Sequence, residues 1–468
     1  MLPMSQRFSF LALALGLTGC ANLMPPTQVD ALVATQWQAP LPHQGTVGAL
    51  TQWWQKQGDP LLVELIEAAQ VVSPSVAQAL SRVASAQASR TAANAALLPK
   101  LDASAAASRG VSQPDVPLAT TQTINLQASW ELDLVGANRA VSHAADAQLQ
   151  GSQAQWHDAR VSVAAEVATT YYSLSTCRQL LQVVRQDAAS RHETARLSGL
   201  SAQAGFAAPS VAALARASAA DGNSRVTQQA AACDLDTKAL VALTGWPEPD
   251  LRQKLALALT HHTQAAPVLV ATVPAQTLTQ RPDVFAAERD VVVASAQVGS
   301  AKAQRYPRLT LNGSVGTLRS SMGDNQTRLD TWSFGPLALT VPLFDGGQRK
   351  ANVVAAEANY TQAIAVYRGK VRQAVREVEE ALVNLQSTDA RKQDVKTATQ
   401  GYAESLQATQ ARYGQGLASL VELEDARRTA LAAQSAELSL ALERNRAWVA
   451  LYRALGGGFD AAQPSAAL

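Results

Sequence analysis

Aromatic residues are scarce, at 5% of 468 positions, too few for the bulky core of a compact enzyme. A charge excess is missing too: Lys and Arg number 39 against 37 Asp and Glu. That balance gives no basic field for a nucleic-acid partner. Beyond the first twenty residues no run of eighteen apolar residues occurs, so the mature chain has no helix to cross a bilayer. Any membrane span must then be made of strands. Catalytic chemistry is also absent. His261 and His262 are adjacent, with no cysteine or carboxylate cluster at ligand spacing. His143, His157 and His192 lie in one long stretch without a HExxH pattern. Gly346-Gly347 has neither GxGxxG nor a following Gly-Lys-Ser/Thr. No nucleophile and base stand together. The chain reads as a non-enzyme with no cofactor and no metal.

What is present is alanine and order. Hydrophobic residues make up 47%, much of it Ala, which lets helices approach closely as in coiled-coil packing. At the N-terminus Arg7 precedes the short apolar run 8–17, and Leu17-Thr18-Gly19-Cys20 follows. That tetrad resembles the lipobox of bacterial lipoproteins, which implies cleavage before Cys20 and a lipid on its new N-terminus. An ordinary secretory signal with a chance cysteine is the alternative. Ala21 in place of Asp favours sorting to the outer membrane. Residues 20–58 carry Pro25, Pro26, Pro40 and Pro42 and read as a polar tether.

One joint occurs twice. Leu337, Leu339, Val341 and Leu343 alternate with other residues as on a strand, and Asp345-Gly346-Gly347 turns into a run from Gln348 to Tyr413 with hardly a breaker. Ile124, Leu126, Ala128, Trp130 and Leu132 alternate likewise before Gly136, Arg139 and an Ala-rich run to about Ala204. Gly136, Arg139, Gly205 and Gly245 recur at nearly constant offset as Gly346, Arg349, Gly416 and Gly456. Pro74 and Pro99 recur as Pro282 and Pro307. The chain is therefore an internal duplication. A signal peptide (1–19) and a lipidated tether (20–58) come first. The first repeat, 59–258, has strands at about 101–110 and 122–133 and a helical hairpin over 135–245. No regular element is expected after Pro247, and a connector spans 259–274. The second repeat, 275–458, has strands at about 308–317 and 333–343, a polar loop over 318–332 and a hairpin over 347–456. The tail 459–468 is expected to be flexible.

Four strands of about ten residues are long enough to cross a bilayer but too few to close a barrel. An open edge in lipid leaves backbone groups unpaired, so the barrel must be shared between chains. Arms of about sixty helical residues reach on the order of 90 Å, which suits a tube projecting from the membrane. Leu337, Leu339, Val341 and Leu343 are expected to face lipid, with Pro342 near the barrel rim. Cys177 lies as far before Gly205 as Cys233 lies after it. An antiparallel hairpin with its tip at Gly205 brings the two to one level, as a disulfide or as two buried thiols.

These features resemble the TolC-like outer-membrane factors, in their lipoprotein (NodT-type) efflux branch. The resemblance rests on Arg281-Pro282-Asp283-Val284 with Ala287-Glu288, on the joints 133–139 and 343–349, on Tyr413-x-x-Gly416 and on Leu17-Thr18-Gly19-Cys20. It covers nearly the whole mature chain. It implies an α+β membrane fold in which three copies form a 12-strand β-barrel continuous with a 12-helix α-barrel. It also implies a periplasmic membrane-fusion adaptor, an inner-membrane efflux pump and outer-membrane lipid as partners. The hairpin tips at Gly205 and Gly416 are the implied adaptor contacts. In that family acidic residues ring the constriction at the end of the second hairpin. The matching positions are Glu422 and Asp425, whose first-repeat equivalents are Val211 and Leu214. Solvated charges at a helix start are the alternative for those acids. Some relatives carry an Arg two residues after the tip Gly, where this chain has Ala418, so a latch through that Arg is not expected. The function implied is a passive exit duct for small toxic compounds. A duct for protein secretion, or a lipid-anchored coiled-coil scaffold without a pore, are the alternatives.

Overall fold

Two joints of strand, glycine turn and long helix recur in the computed structural model. It describes residues 23–31, 37–39, 53–56, 58–111, 118–258, 278 and 281–459. The elements are α1 (Trp53–Lys56), α2 (Pro60–Val72), α3 (Pro74–Ala95), β1 (Lys100–Gly110), β2 (Ala119–Leu132), α4 (Ala137–Gln203), α5 (Pro209–Thr244), α6 (Glu248–Ala258), α7 (Pro282–Ala303), β3 (Arg308–Met322), β4 (Asn325–Thr340), α8 (Gln348–Gly414) and α9 (Leu420–Ala454), then a 3-10 turn (Gly456–Gly458). The duplication is visible in the lengths: α4 and α8 each have 67 residues, and the return helices α5 and α9 have 36 and 35. The chain divides into two compact units. One holds Ser81–Gln153 and Phe285–Lys370 with the segment before Leu32, and the other holds Leu32–Leu80, Ala154–Val284 and Val371–Leu468.

In the first unit the four strands form one antiparallel sheet in the order β1-β2-β3-β4. Both outer edges, on β1 and β4, have no strand partner among the described residues. The register stacks Leu101, Ala128, Gly313 and Phe334 in one row, and Ala103, Leu126, Val315 and Trp332 in the next. Trp130, Leu311 and Leu337 follow, then Leu132, Leu309 and Leu339. Side chains along a strand alternate in direction, so these rows make one continuous apolar face. Asn125, Gln127, Ser129, Asn312 and Ser314 fall on the other.

This register corrects the sequence reading of β4 in three ways. Val341, Pro342 and Leu343 lie beyond the strand, which ends at Thr340. The supposed polar loop 318–332 is mostly strand, closed by the two-residue turn Gly323-Asp324. Backbone pairing needs no apolar side chains, so the alternation fades while the ladder continues. Finally, Gly335 and Pro336 stand opposite the single residue Asn312. That bulge reverses the alternation and puts Trp332 and Phe334 on the same face as Leu337 and Leu339.

Each joint is tied by an aspartate. The Asp133 carboxylate accepts from the backbone N–H of Asn138 at 3.2 Å and of Arg139 at 2.8 Å. Asp345 accepts from the N–H of Gly347 at 2.9 Å and of Arg349 at 3.2 Å. These carboxylates satisfy donors that a helix start leaves free. The Gly347 N–H first, then Arg349, hold the Asp345 carboxyl below the usual carboxylate range. Gly136, Gly346 and Gly347 have φ values of 83, 63 and 93°, which favour glycine.

In the second unit Trp53 stacks on Tyr452, and Trp54 meets both rings edge-on, beside the buried Leu62, Leu65 and Leu451. Asp59 caps α2 through Leu62 N–H at 3.2 Å and accepts from the Tyr171 hydroxyl at 2.6 Å. Residues 248–258, expected to be irregular, form α6, which buries Leu251 and Leu255. The expected connector 259–274 lies outside the described residues. Phe459, assigned to the flexible tail, is buried against the His157 ring instead; a large apolar side chain next to the core is favoured inside it. Burial, then the Arg160 cation, push His157 below its ordinary value. Among the described residues no three His, Cys, Asp or Glu side chains are placed to hold a metal ion.

The tether is corrected as well. Within the first unit, the Pro25 carbonyl accepts from Ser295 and the Pro26 carbonyl from Tyr360, each at 2.6 Å. Gly299 makes room for Met24: a Cβ there would stand 2.5 Å from its Cγ. Within the second unit, the Glu379 carboxylate receives the N–H groups of Gln38 and Ala39 at 2.6 and 2.8 Å. Trp37 is buried beside them. A polar, Pro-rich segment can be held by its backbone alone, a fixation that composition does not reveal.

Candidate functional site: the apolar sheet face and the hairpin tips

The apolar face of the sheet is open in the single chain. Trp332 and Phe334 are 81% and 84% exposed, and Ile124, Leu101, Leu337 and Leu339 are exposed as well. Contiguous exposure of this kind marks a surface meant for lipid or protein. The opposite face, with Ser314 and Ser333 bonded through their hydroxyls at 2.9 Å, suits water. One apolar and one polar side is the pattern of a strand in a membrane barrel wall.

The two hairpins turn alike. Phe206 N–H bonds to Ser201 O at 2.9 Å, and Leu417 N–H to Arg412 O at 2.8 Å. This is the helix-ending pattern that needs a left-handed residue just before it, and Gly205 and Gly416 supply it at φ 78 and 73°. α5 then starts on Pro209, and α9 on a capping box between Ser419 and Glu422. Tyr413 and Ser198 join the two hairpins through their hydroxyls at 3.1 Å, above a small core of Ala215, Leu420 and Leu423.

Glu422 is half exposed and lies 3.6 Å from the Arg412 guanidinium. Asp425, also exposed, pairs with Arg428. Both acids therefore have a cationic neighbour on their own hairpin. The acid between them behaves differently. Glu424 points inward and accepts from Arg191 of α4, from the Ser218 hydroxyl of α5 at 2.7 Å and from Arg427 at 2.8 Å. Arg191 is also held by Asp187 at 2.7 Å, and Arg427 donates to Thr194 at 2.7 Å and to Ser190 at 2.9 Å. The side chains of Arg191 and Arg427 are only 6% and 3% exposed. The cluster ties α9 to α4 and α5. Sequence reasoning singled out Glu422 and Asp425 and gave Glu424 no role of its own. A sequence signal did exist: Asp187, Ser190, Arg191 and Thr194 share one helical face at three- and four-residue spacing. Opposite them sits Gly222, where a Cβ would stand 3.1 Å from Arg191 Cδ.

Cys177 on α4 and Cys233 on α5 have Cα atoms 5.5 Å apart and form a disulfide. Closing a loop with a sequence separation of 56 is expected to stabilise the hairpin by about 2–4 kcal/mol. Replacing both cysteines with serine should lower the unfolding free energy by that amount. The mass of the unreduced protein reports the bond directly; two free thiols there would remove the basis of the prediction. Cys20 lies outside the described residues.

A sheet with one apolar side, feeding through two joints into paired long helices, defines the subunit of a membrane channel with a helical extension. The family model for the outer membrane efflux protein matches residues 65–246 and 273–457, and the chain belongs to that family. The outer membrane protein OprJ of Pseudomonas aeruginosa is 30% identical, over 97% of this chain and 96% of its own. Nodulation protein T of Rhizobium leguminosarum is 27% identical, over 91% and 89%. The solved structure of the outer-membrane channel OprN matches with a TM-score of 0.81 at 25% identity, over 93% of this chain and 99% of its own. The chain is thus an outer-membrane efflux channel that extends into the periplasm, and not an enzyme. The scaffold without a pore is set aside by this family membership, and the protein-secretion duct is not supported by it.

Proposed function

We propose that three copies of the chain close a 12-strand barrel in the outer membrane and a 12-helix tunnel in the periplasm. The assembly is the passive exit duct of a tripartite efflux machine for small toxic compounds. One observation carries this reading: a four-stranded sheet with an apolar face has both edges unpaired among the described residues. Backbone groups cannot stay unpaired in lipid, and four strands cannot close alone. A lipid on Cys20 anchors the chain. A periplasmic membrane-fusion adaptor meets the tips at Gly205 and Gly416, and an inner-membrane pump supplies the driving force. Conductance of the detergent-extracted protein in planar bilayers, with a heat-modifiable trimer on gels, tests it. A monomer without conductance would overturn it.

Glu422 and Asp425 form the periplasmic gate in this reading. Three-fold symmetry brings six carboxylates to one level, which favours bound cations. Glu422→Ala with Asp425→Ala is expected to raise single-channel conductance or to lower cation selectivity. An unchanged channel would leave Glu422 with its helix-capping role alone.

A further inference from the structure

The apolar face of the sheet ends, toward the Gly323-Asp324 turn, in arginines. Arg319 of β3 and Arg328 of β4 are directly opposed in the register. They share the face of Val315 and Trp332, because even-numbered steps separate them along each strand. Arg109 of β1 belongs to the same face, one row further toward the turn, where Thr120 and Ser321 continue the ladder. All three arginines are exposed. Two acids lie on β3, β4 and the turn between them: Asp324 in the turn, and Asp330, whose carboxylate receives Arg328 Nε at 3.2 Å. Arg109 and Arg319 have no ion-pair partner among the described residues.

Like charges directly opposed across two strands destabilise a sheet. Asp330 offsets Arg328, while Arg319 opposite has no carboxylate against it among the described residues, which leaves room there for an external anion. The height is informative. Arg328 lies four residues from Trp332, about 13 Å along the strand and about 10 Å along the membrane normal at the usual tilt. Aromatic side chains such as Trp332 mark the hydrocarbon boundary, so the guanidiniums reach the headgroup layer. The turn end of the sheet is opposite the joints from which the long helices leave toward the periplasm, so that layer is the outer leaflet. Guanidinium is the side chain that grips phosphate through paired hydrogen bonds.

We propose that Arg319 and Arg328, flanked by Arg109, clamp the phosphates of a phosphorylated glycolipid in the outer leaflet. The clamp rests on the apolar face being the lipid-facing one. It adds a lipid contact specific in chemistry to a wall otherwise held by apolar burial.

The test uses the full-length, delipidated protein in detergent. Bisphosphorylated lipid A, the same lipid with its phosphates removed, and phosphatidylglycerol are each added, and bound lipid is counted by native mass spectrometry. Loss of the phosphates should weaken binding about tenfold, the equivalent of one charge-assisted hydrogen bond. Arg319→Gln with Arg328→Gln should do the same, and Arg319→Lys with Arg328→Lys should keep most of the binding. Asp330→Asn, which frees Arg328 from its carboxylate, should tighten it, and so tests the clamp in the opposite direction should the glutamine variant fail to fold. Equal binding by the folded glutamine variant, or of the dephosphorylated lipid, would reduce the contact to acyl chains and overturn the clamp. Equal binding of phosphatidylglycerol would show general anion attraction and overturn it too.

Discussion

Replacing Glu424 with alanine is expected to destabilise the joined hairpin tips by on the order of 3–5 kcal/mol, the usual cost of stranding a buried charge. The carboxylate is the common acceptor for Arg191, Ser218 and Arg427. Without it, Arg191 keeps Asp187, while Arg427 keeps only the oxygens of Ser190 and Thr194. Its Nε already lacks an acceptor among the described residues. A guanidinium with a 3% exposed side chain cannot recover its hydration without separating α9 from α4. Thermal unfolding should therefore shift down, and proteolysis near Gly205 and Gly416 should accelerate. Glu424→Gln, which keeps acceptor and shape but removes the charge, should fall between the variant and the parent. A loss below about 1 kcal/mol, the range of exposed pairs, would show that the cluster is wetter than its burial indicates.

Arg281→Leu is the second large effect, again on the order of 3–5 kcal/mol. The Arg281 side chain is 6% exposed and grips Asp283 through two nitrogens, at 2.9 and 2.8 Å. It also pairs with Glu377 of α8 at 2.8 Å and donates to the Ala454 carbonyl at the end of α9 at 2.9 Å. Burial by itself would lower the guanidinium pKa, but Asp283 and Glu377 outweigh it and raise it. Removing Arg281 takes one shared cation from Asp283, Glu377 and the Ala454 carbonyl at once. Arg281→Lys keeps the charge but not the fork, and should lose about 1.5–3 kcal/mol, one hydrogen bond to a charged group. Chemical denaturation of the purified protein measures both. Equal stability of the lysine variant and the parent would show that charge alone matters at this position.

The joints, the tips and the helix lengths were readable from the chain because glycine, proline and an aspartate turn each impose a local backbone. Alternation exposed the middle of every strand. It failed where the physics is not local. Between Leu318 and Trp332 the strands continue without an apolar side, since hydrogen bonding to a neighbouring strand leaves no mark on composition. The bulge at Gly335-Pro336 depends on its partner Asn312, so the face of Trp332 and Phe334 could not be read from β4 alone. Glu424 differs from Glu422 and Asp425 only in helical angle, which decides whether an acid meets water or two arginines. Arg281-Pro282-Asp283 stands out as a motif, but the partners of Arg281 lie about a hundred residues and more away, at Glu377 and Ala454. The tether misled most, because its fixation runs through its own carbonyl and amide groups.

That fixation has a mechanical consequence. Met24 fills the space left by Gly299, and Pro25 and Pro26 are bonded through their carbonyls to Ser295 and Tyr360. Met24 is four residues on from Cys20, a reach of about 14 Å at full extension. With the proposed lipid on Cys20, the anchor is a short leash. The acyl chains must enter the inner leaflet within that distance of α7 and α8, so the lipid sets the depth at which the wall sits in the bilayer.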